Sequence, residues 1–478
     1  MQTLIFEKSV ANRKGYTLPE LDVPTCESIP TKYLRKESLS LPEVPETDVS
    51  RHYIGLSNLN HCIEKGFYPL GSCTMKYNPK VNEVVANLSG FTGLHPHIPC
   101  ENAQGALAVM YELGETLKEI TGLEGVSLQP SAGAQGELCG ALLFRAYFRD
   151  KNELNRTKML IPESAHGTNP ATATSAGFET VIVKCRPDGS IDIDDLKSKL
   201  SDEIAGIMIT NPSTIGVFES NIEEIEKLVH GCGALMYMDG ANLNAILGIT
   251  TPGLMKFDCV HINLHKTMST PHGGGGPGSG PICVSEKLIP YLPVPQIEIN
   301  EYDEYALVYN DKLPKTIGRM HSFFGNFGTL LRALTYIRML GAKGLKRVSE
   351  NSIINANYVQ ARLKGHYNLP YDVFCMHECL FTAENQIPQG IRALNIAKRL
   401  LDYGVHAPTV NFPLIVKDAL LIEPTETEKL EDLDYFCDVM IKIAEESKTE
   451  PDLVINAPYT TPVRRLDDAL AVRQKNIR

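Results

Sequence analysis

Residues 234–264 read ALMYMDGANLNAILGITTPGLMKFDCVHINL, and this stretch decides the fold. Its two apolar runs, ALMYMD (234–239) and CVHINL (259–264), are too short for buried helices and rich in β-formers, so each is expected to be a strand. The intervening residues are enough for a helix and a return, which would bring both strand ends to the same sheet edge. Working outward, KMLIP (158–162), TVIVKC (180–185) and IAGIMIT (204–210) have the same character, and helical stretches such as IDIDDLKSKLS and NIEEIEKLVHG separate them. Strands alternating with helices imply right-handed crossovers, a mostly parallel sheet and ligands at the carboxyl ends of its strands. The expected fold class is α/β.

The flanks differ from this centre. The first sixty residues carry Pro19, Pro24, Pro30, Pro42 and Pro45, which break helices, and they read either as an extended arm with short helical pieces or as a floppy tail. NAQGALAVMYELGETLKEIT (102–121) has the apolar spacing of a helix ending at Gly122. Beyond residue 325 a long helical segment, FGTLLRALTYIRMLGAKGLKRVSENSIINANYVQARL (327–363), precedes the strand-like DVFCMHECLFT (372–382), which suggests a separate α+β domain. The expected division is an N-terminal segment over 1–80, a large α/β domain over 81–328, and a small α+β domain with its tail over 329–478.

Composition narrows the function. In 478 residues no apolar run is long enough to span a bilayer, which excludes an integral membrane protein. The N-terminus lacks the layout of a signal peptide. Twelve cysteines, none in a CxxC pair, are expected to be reduced thiols in a cytoplasmic protein. A net charge of −11 speaks against a nucleic-acid binder.

Chemistry-bearing residues gather at strand ends. In HINLHKTMSTPHGGGGPGSGPI (261–282) a strand is expected to run to His265–Lys266–Thr267 before four consecutive glycines. A lysine there suits a catalytic amine, provided the site offsets an ordinary pKa of about 10.4. A surface lysine beside a flexible loop fits the same residues. Asp239, 27 residues earlier, ends its own strand; it stands either over an open site or as a helix N-cap. A strand-end Asp beside such a Lys is what pyridoxal 5'-phosphate needs, because the carboxylate keeps the pyridinium nitrogen protonated. LQPSAGAQGELCGALLFRAY (128–147) opens a helix with small residues whose N–H groups suit a phosphate, without a nucleotide-binding motif. His166 in ESAHGTNPA (163–171) reads as a ring-stacking imidazole or a turn histidine, and Thr214 in ITNPSTIG (209–216) as a phenolic-oxygen contact or an ordinary turn. Their order along the chain is that of a pyridoxal phosphate enzyme with the aspartate-aminotransferase fold.

Six segments carry a more specific resemblance: GFYPLGSCTMKYNPK (66–80), QPSAGAQGE (129–137), SAHGTNPA (164–171), MDGANLNA (238–245), NLHKTMSTPHGGGGPG (263–278) and IEPTETE (422–428). Together they resemble the glycine decarboxylase P-protein family of the glycine cleavage system over nearly the whole chain, in the form of subunit 2 of its two-subunit members. The resemblance implies a pyridoxal-phosphate fold type I enzyme in which Lys266 holds the cofactor and His166 stacks on its ring. It implies that Asp239 pairs with the ring nitrogen and that Ala132, Gly133, Ala134 and Gln135 cradle the phosphate. Thr214, Ala241 and His265 complete the expected cofactor contacts, and no metal is expected. It further implies decarboxylation of glycine, transfer of the aminomethyl group to the lipoylated H-protein, and an α2β2 assembly with subunit 1. An aminotransferase or β-lyase on the same fold, or a non-catalytic scaffold subunit, are the alternatives.

Other residues stay open. Cys73, Thr74 and Lys76 line a substrate entrance or form a structural turn. His95–Pro96–His97 reads as a loop, and His377–Glu378, placed in an apolar strand, lacks the second histidine of a zinc protease motif.

Overall fold

The computed structural model describes residues 3–24, 28–37, 39–271 and 278–474. The four glycines at 273–276 therefore lie outside the described residues. The chain forms two units, Met1–Gly66 and Phe67–Arg478. In the first, single turns at Ile5–Lys8 and Thr31–Tyr33 precede one helix, α1 (Glu46–Leu59), which starts directly after Pro45. Pro45 is the N-cap, with extended backbone, and its missing N–H lies outside the helix's hydrogen-bond ladder. The segment is not simply extended: the Val10 N–H donates to the Glu43 carbonyl at 3.0 Å, so its two arms meet.

The second unit opens with α2 (Lys80–Ala86), α3 (Ser89–Thr92) and α4 (Gln104–Thr121). Then β1 (Gly125–Ser127), α5 (Gly133–Asp150), β2 (Lys158–Pro162), α6 (Thr168–Ser175), β3 (Glu179–Val183), α7 (Ile193–Lys199), β4 (Ile204–Thr210), α8 (Ile222–Gly231), β5 (Leu235–Gly240) and β6 (Cys259–Ile262) follow. One helical turn, α9 (Leu264–Thr267), and a return strand, β7 (Ile282–Val284), complete the sheet, whose order is β1-β7-β6-β5-β4-β2-β3. Strands β6, β5, β4, β2 and β3 are parallel, while β7 runs antiparallel to both β1 and β6.

Alternation explains why the central strands are apolar throughout. In β5 and β6, Met236, Met238, Val260 and Ile262 enter one core, whereas Leu235, Tyr237 and Cys259 enter the core on the opposite face. Both faces are covered by helices, and burying each such side chain contributes about 1.5–3 kcal/mol.

A hairpin, β8 (Gln296–Ile299) and β9 (Tyr305–Val308), leads to α10 (Phe327–Leu363). This helix breaks at Gly341, whose φ of +60° is open to glycine alone at little cost. Before the break Leu330, Leu334 and Ile337 join the core of the large sheet. Towards the far end Ala356, Val359 and Leu363 join a separate core. There β10 (Cys379–Thr382), β11 (Thr409–Val410) and β12 (Ala419–Ile422) form a three-stranded antiparallel sheet with α11 (Ala393–Asp402) and α12 (Leu430–Thr449). The strand expected over 372–382 is thus only its last four residues, and His377 and Glu378 precede it. Among the described residues no helix is long and apolar enough to cross a membrane.

Candidate active site

The carboxyl ends of β2, β4, β5 and β6 and the start of α5 surround one cavity of about 270 Å³. It is lined by Ser72, Ala132, Gly133, Ala134, Glu137, His166, Thr168, Thr210, Thr214, Asp239, Ala241, Asn242, Asn263, His265 and Lys266. Every predicted site residue except Gln135 is in that lining. The Gln135 side chain is engaged elsewhere: it accepts the Ser131 N–H at 2.7 Å and donates to the Met320 carbonyl at 2.8 Å.

Lys266 does not end a strand as expected. The strand stops at Ile262, and Lys266 lies in the α9 turn, where its N–H donates to the Asn263 carbonyl at 2.9 Å. Its amine donates to the Ser72 carbonyl at 2.7 Å, across 194 residues of sequence. Asp239 occupies the end of β5, where one carboxylate oxygen accepts the Ala241 N–H at 3.0 Å and the other the Asn169 amide at 3.2 Å. His261 Nε2 stands 3.5 Å away. Burial works against the charge on Asp239, but His261, the Ala241 N–H, Lys266 and Asn169 outweigh it and hold the carboxyl below its ordinary range.

Glu137 accepts the Thr168 hydroxyl at 2.7 Å and the Asn169 amide at 2.9 Å. Burial first, and the Asp239 charge second, push it up to about 7. Two linked carboxyls are thus driven apart, one ionised and one able to hold a proton near neutrality. Burial also lowers His166, with Asp239 opposing and Lys266 assisting. The His166 Nδ1 lies 2.9 Å from the Thr168 hydroxyl. The Thr214 hydroxyl donates to the Ser164 carbonyl at 2.6 Å, which leaves its oxygen as an acceptor.

The cavity has the features of an anion and flat-ring site. At the first turn of α5 the N–H groups of Gly133, Ala134 and Gln135 precede the first intrahelical bond, from Gly136 N–H to the Ala132 carbonyl at 2.9 Å. A Cβ at Gly133 would meet the Asn263 side-chain oxygen at 2.3 Å, so glycine is what allows this close approach. The Thr210 hydroxyl, both side-chain amide atoms of Asn242 and the Asn263 side-chain oxygen are buried without a hydrogen-bond partner among the described residues. Such atoms on a cavity wall suit a polar ligand.

Sequence reasoning had singled out the segments holding Glu137, Asn169 and Asn242 without assigning those residues a part. Ser72 carried no spacing signal at all. Of its segment Ser72 lines the cavity whereas Cys73, Thr74 and Lys76 do not, and burial raises the Cys73 thiol despite Lys266, which disfavours a reactive thiolate.

The family model "Glycine cleavage system P-protein" matches residues 15–304, and "Glycine dehydrogenase, C-terminal domain" matches 348–457. The chain belongs to the glycine cleavage system P-protein family. It is 58% identical over 483 residues to the probable glycine dehydrogenase (decarboxylating) subunit 2 of Chloroherpeton thalassium, covering 100% of this chain and 97% of the relative. The protein of the same name from Chlorobaculum tepidum is 59% identical, with 100% and 99% covered. Among solved structures, an inhibitor-bound glycine decarboxylase (P-protein) superposes with a TM-score of 0.72 at 20% identity, covering 87% of this chain and 93% of that one. A cysteine desulfurase from Thermococcus onnurineus gives a TM-score of 0.61 at 16% identity, covering 80% and 95%. The P-protein chain therefore has the pyridoxal-phosphate fold type I architecture that the resemblance implied.

Proposed function

We propose that this chain is subunit 2 of a P-protein that decarboxylates glycine and passes the aminomethyl group to the oxidised lipoyl arm of an H-protein. The observation that carries the reading is the convergence of Lys266, Asp239 and the amide-rich start of α5 on one cavity. Overall, the glycine carbon–carbon bond and the lipoyl sulfur–sulfur bond break, one carbon–sulfur bond forms, and the second lipoyl sulfur takes up a proton to become a thiol. The electron pair released with carbon dioxide thus ends in the carrier.

Pyridoxal phosphate fits the cavity by the first-turn α5 amides, the Gly133 approach and the polar side-chain atoms of Thr210, Asn242 and Asn263 that have no partner among the described residues. Lys266 would hold it through its amine, and Ala132, Gly133 and Ala134, with the backbone N–H of Gln135, would hold its phosphate. Asp239 would face its ring nitrogen and His166 its ring, with Thr214, Ala241 and His265 around it. When bound, the cofactor supplies a sink for the electron pair left by departing carbon dioxide. The ionised Asp239 keeps a proton on the group it faces, and the lowered His166 presents a neutral imidazole face instead of a second cation. Glu137, joined to Asp239 through Asn169, orients that carboxylate.

The relatives' designation as subunit 2 supports a partner subunit 1, and an α2β2 complex is the assembly we propose. The complex is expected to be yellow, and borohydride reduction followed by peptide mapping should place a pyridoxyl label on Lys266. Carboxyl-labelled glycine should release labelled carbon dioxide only when lipoylated H-protein is supplied. Labelled glyoxylate formed with a keto acid, and no labelled carbon dioxide, would make the chain an aminotransferase. An unlabelled, inactive complex would reduce it to a supporting subunit.

A further inference from the structure

His377 and Glu378, just before β10, and Glu423, just after β12, are buried with less than 1% exposure. Their ligating atoms lie within 4.8 Å of one another. Polar groups at this depth are costly unless each one is engaged. Part of the engagement is with one short turn. Glu378 accepts the Ser72 N–H at 2.7 Å. Glu423 accepts the Thr74 N–H at 3.0 Å and the Thr74 hydroxyl at 2.5 Å.

That turn is strained. Ser72 and Thr74 have φ of +63° and +48°. Residues other than glycine hold such angles at about 1–3 kcal/mol each, and only where their surroundings impose it. The base of the turn is pinned as well: the Gly71 N–H donates to the Leu421 carbonyl at 3.2 Å, and the Thr409 hydroxyl to the Gly71 carbonyl at 2.8 Å. At its tip, the Ser72 carbonyl receives the Lys266 amine at 2.7 Å.

We propose that Glu378 is a positioning residue: by holding the Ser72 N–H it fixes the Ser72 carbonyl against the Lys266 amine, and so sets where that amine stands in the cavity. The inference rests on the reading of Lys266 as the cofactor lysine. The other Glu378 oxygen has no hydrogen-bond partner among the described residues and lies 3.5 Å from His377 Nε2, whose ring nitrogens are likewise without partners. Burial, aided by Glu423, raises Glu378 well above the carboxylate range, and burial pushes His377 down to about 3. A neutral acid therefore faces a neutral imidazole, and Glu378 acts on Ser72 as a hydrogen-bond acceptor without needing a charge.

This makes the conservative variant informative. Glu378→Gln keeps a carbonyl acceptor for Ser72 and offers an amide donor towards His377 and Glu423. Glu378→Met keeps similar bulk and removes the acceptor. In the complex with subunit 1, Glu378→Met should lower kcat by about tenfold or more with KM for glycine changed less than about threefold, whereas Glu378→Gln should recover most of that loss. In the cofactor-free full chain, the rate at which acetic anhydride modifies Lys266, read by peptide mass spectrometry, should shift by about threefold or more in the Met variant and return in the Gln variant. Hydrogen exchange across residues 71–75 of the wild type should be slow.

Equal losses in the two variants, unchanged Lys266 reactivity in a folded Met variant, or fast wild-type exchange would each overturn the proposal. Should the Met variant not fold, the exchange measurement and the Gln variant decide. A missing pyridoxyl label on Lys266 would instead sink the cofactor reading, and the acylation and exchange measurements, which need no cofactor, would still judge the positioning.

Discussion

Glu137 is the residue at which burial and function meet most directly. Its folded carboxyl sits at about 7 against an ordinary 4.5, because burial and then Asp239 disfavour its charge. The folded chain therefore binds this proton more tightly than the unfolded chain does. The stabilising contribution is complete below about pH 4.5 and is lost as pH rises through about 7, an effect of about 3 kcal/mol. Glu137→Gln does not titrate, so its Tm relative to wild type should rise between pH 5.5 and 8; a gap independent of pH would contradict the assignment. Asp239 lies at the opposite extreme. Asp239→Asn should lower kcat roughly 100-fold while leaving the Tm within a few degrees, measured on the complex. Asp239 and Lys266 were legible because each follows an apolar run that could only be a strand. Glu137 was not, since within α5 it reads as one more helical residue until the neighbouring carboxylate is placed beside it.

At the scale of the element, the start of α5 carries the sharpest constraint. Gly133 is pressed by the Asn263 side chain, and a methyl group there must displace either Asn263 or the helix end that presents the amides. Gly133→Ala should therefore weaken pyridoxal phosphate binding about tenfold or more in an absorbance titration, with helical content unchanged. Gly105→Ala on α4, where a Cβ would meet nothing within 4 Å, is the control and should bind as wild type does. Wild-type affinity in the Gly133 variant would remove α5 from the phosphate site. Element boundaries were legible where periodicity is strong: the strands over 158–162 and 204–210 occur as the sequence pattern predicts, and the helix over 327–363 keeps its ends but breaks at Gly341. They failed at Lys266 and at His377–Glu378. In the first case a one-turn helix is closed by bonds to the Asn263 carbonyl. In the second, the partner strand β12 reaches no further than Cys379, which pairs with Ile422. Neither a short turn nor a partner's reach leaves a periodic signal.

At the scale of the second unit, distant segments are tied through Lys76. Its ammonium is fully buried and donates to Glu426 at 2.7 Å, to the Thr267 carbonyl at 2.8 Å and to the Tyr336 hydroxyl at 3.1 Å. One cation thereby links the segment before α2, the turn that holds Lys266, the long helix α10 and the stretch after β12. Removing one member of a buried pair strands the other, so Lys76→Met should cost about 3–5 kcal/mol, seen as a lowered Tm. The double variant Lys76→Met with Glu426→Gln should recover at least half of that loss. Equal instability in the single and double variants would argue against a paired charge. By itself the sequence determined the alternation of strands and helices, the sheet edge that carries Asp239 and Lys266, and the small residues that open α5. These are local patterns, fixed by side-chain period and by the few residues a turn admits. Only the tertiary structure decided that Ser72 meets the Lys266 amine, that burial and Asp239 push Glu137 towards neutrality, that Glu378 and Glu423 hold the Ser72–Thr74 turn, and that Lys76 ties the turn of Lys266 to Glu426. Such contacts join residues far apart in the chain, and their energies arise from burial and proximity, which no spacing along the chain encodes.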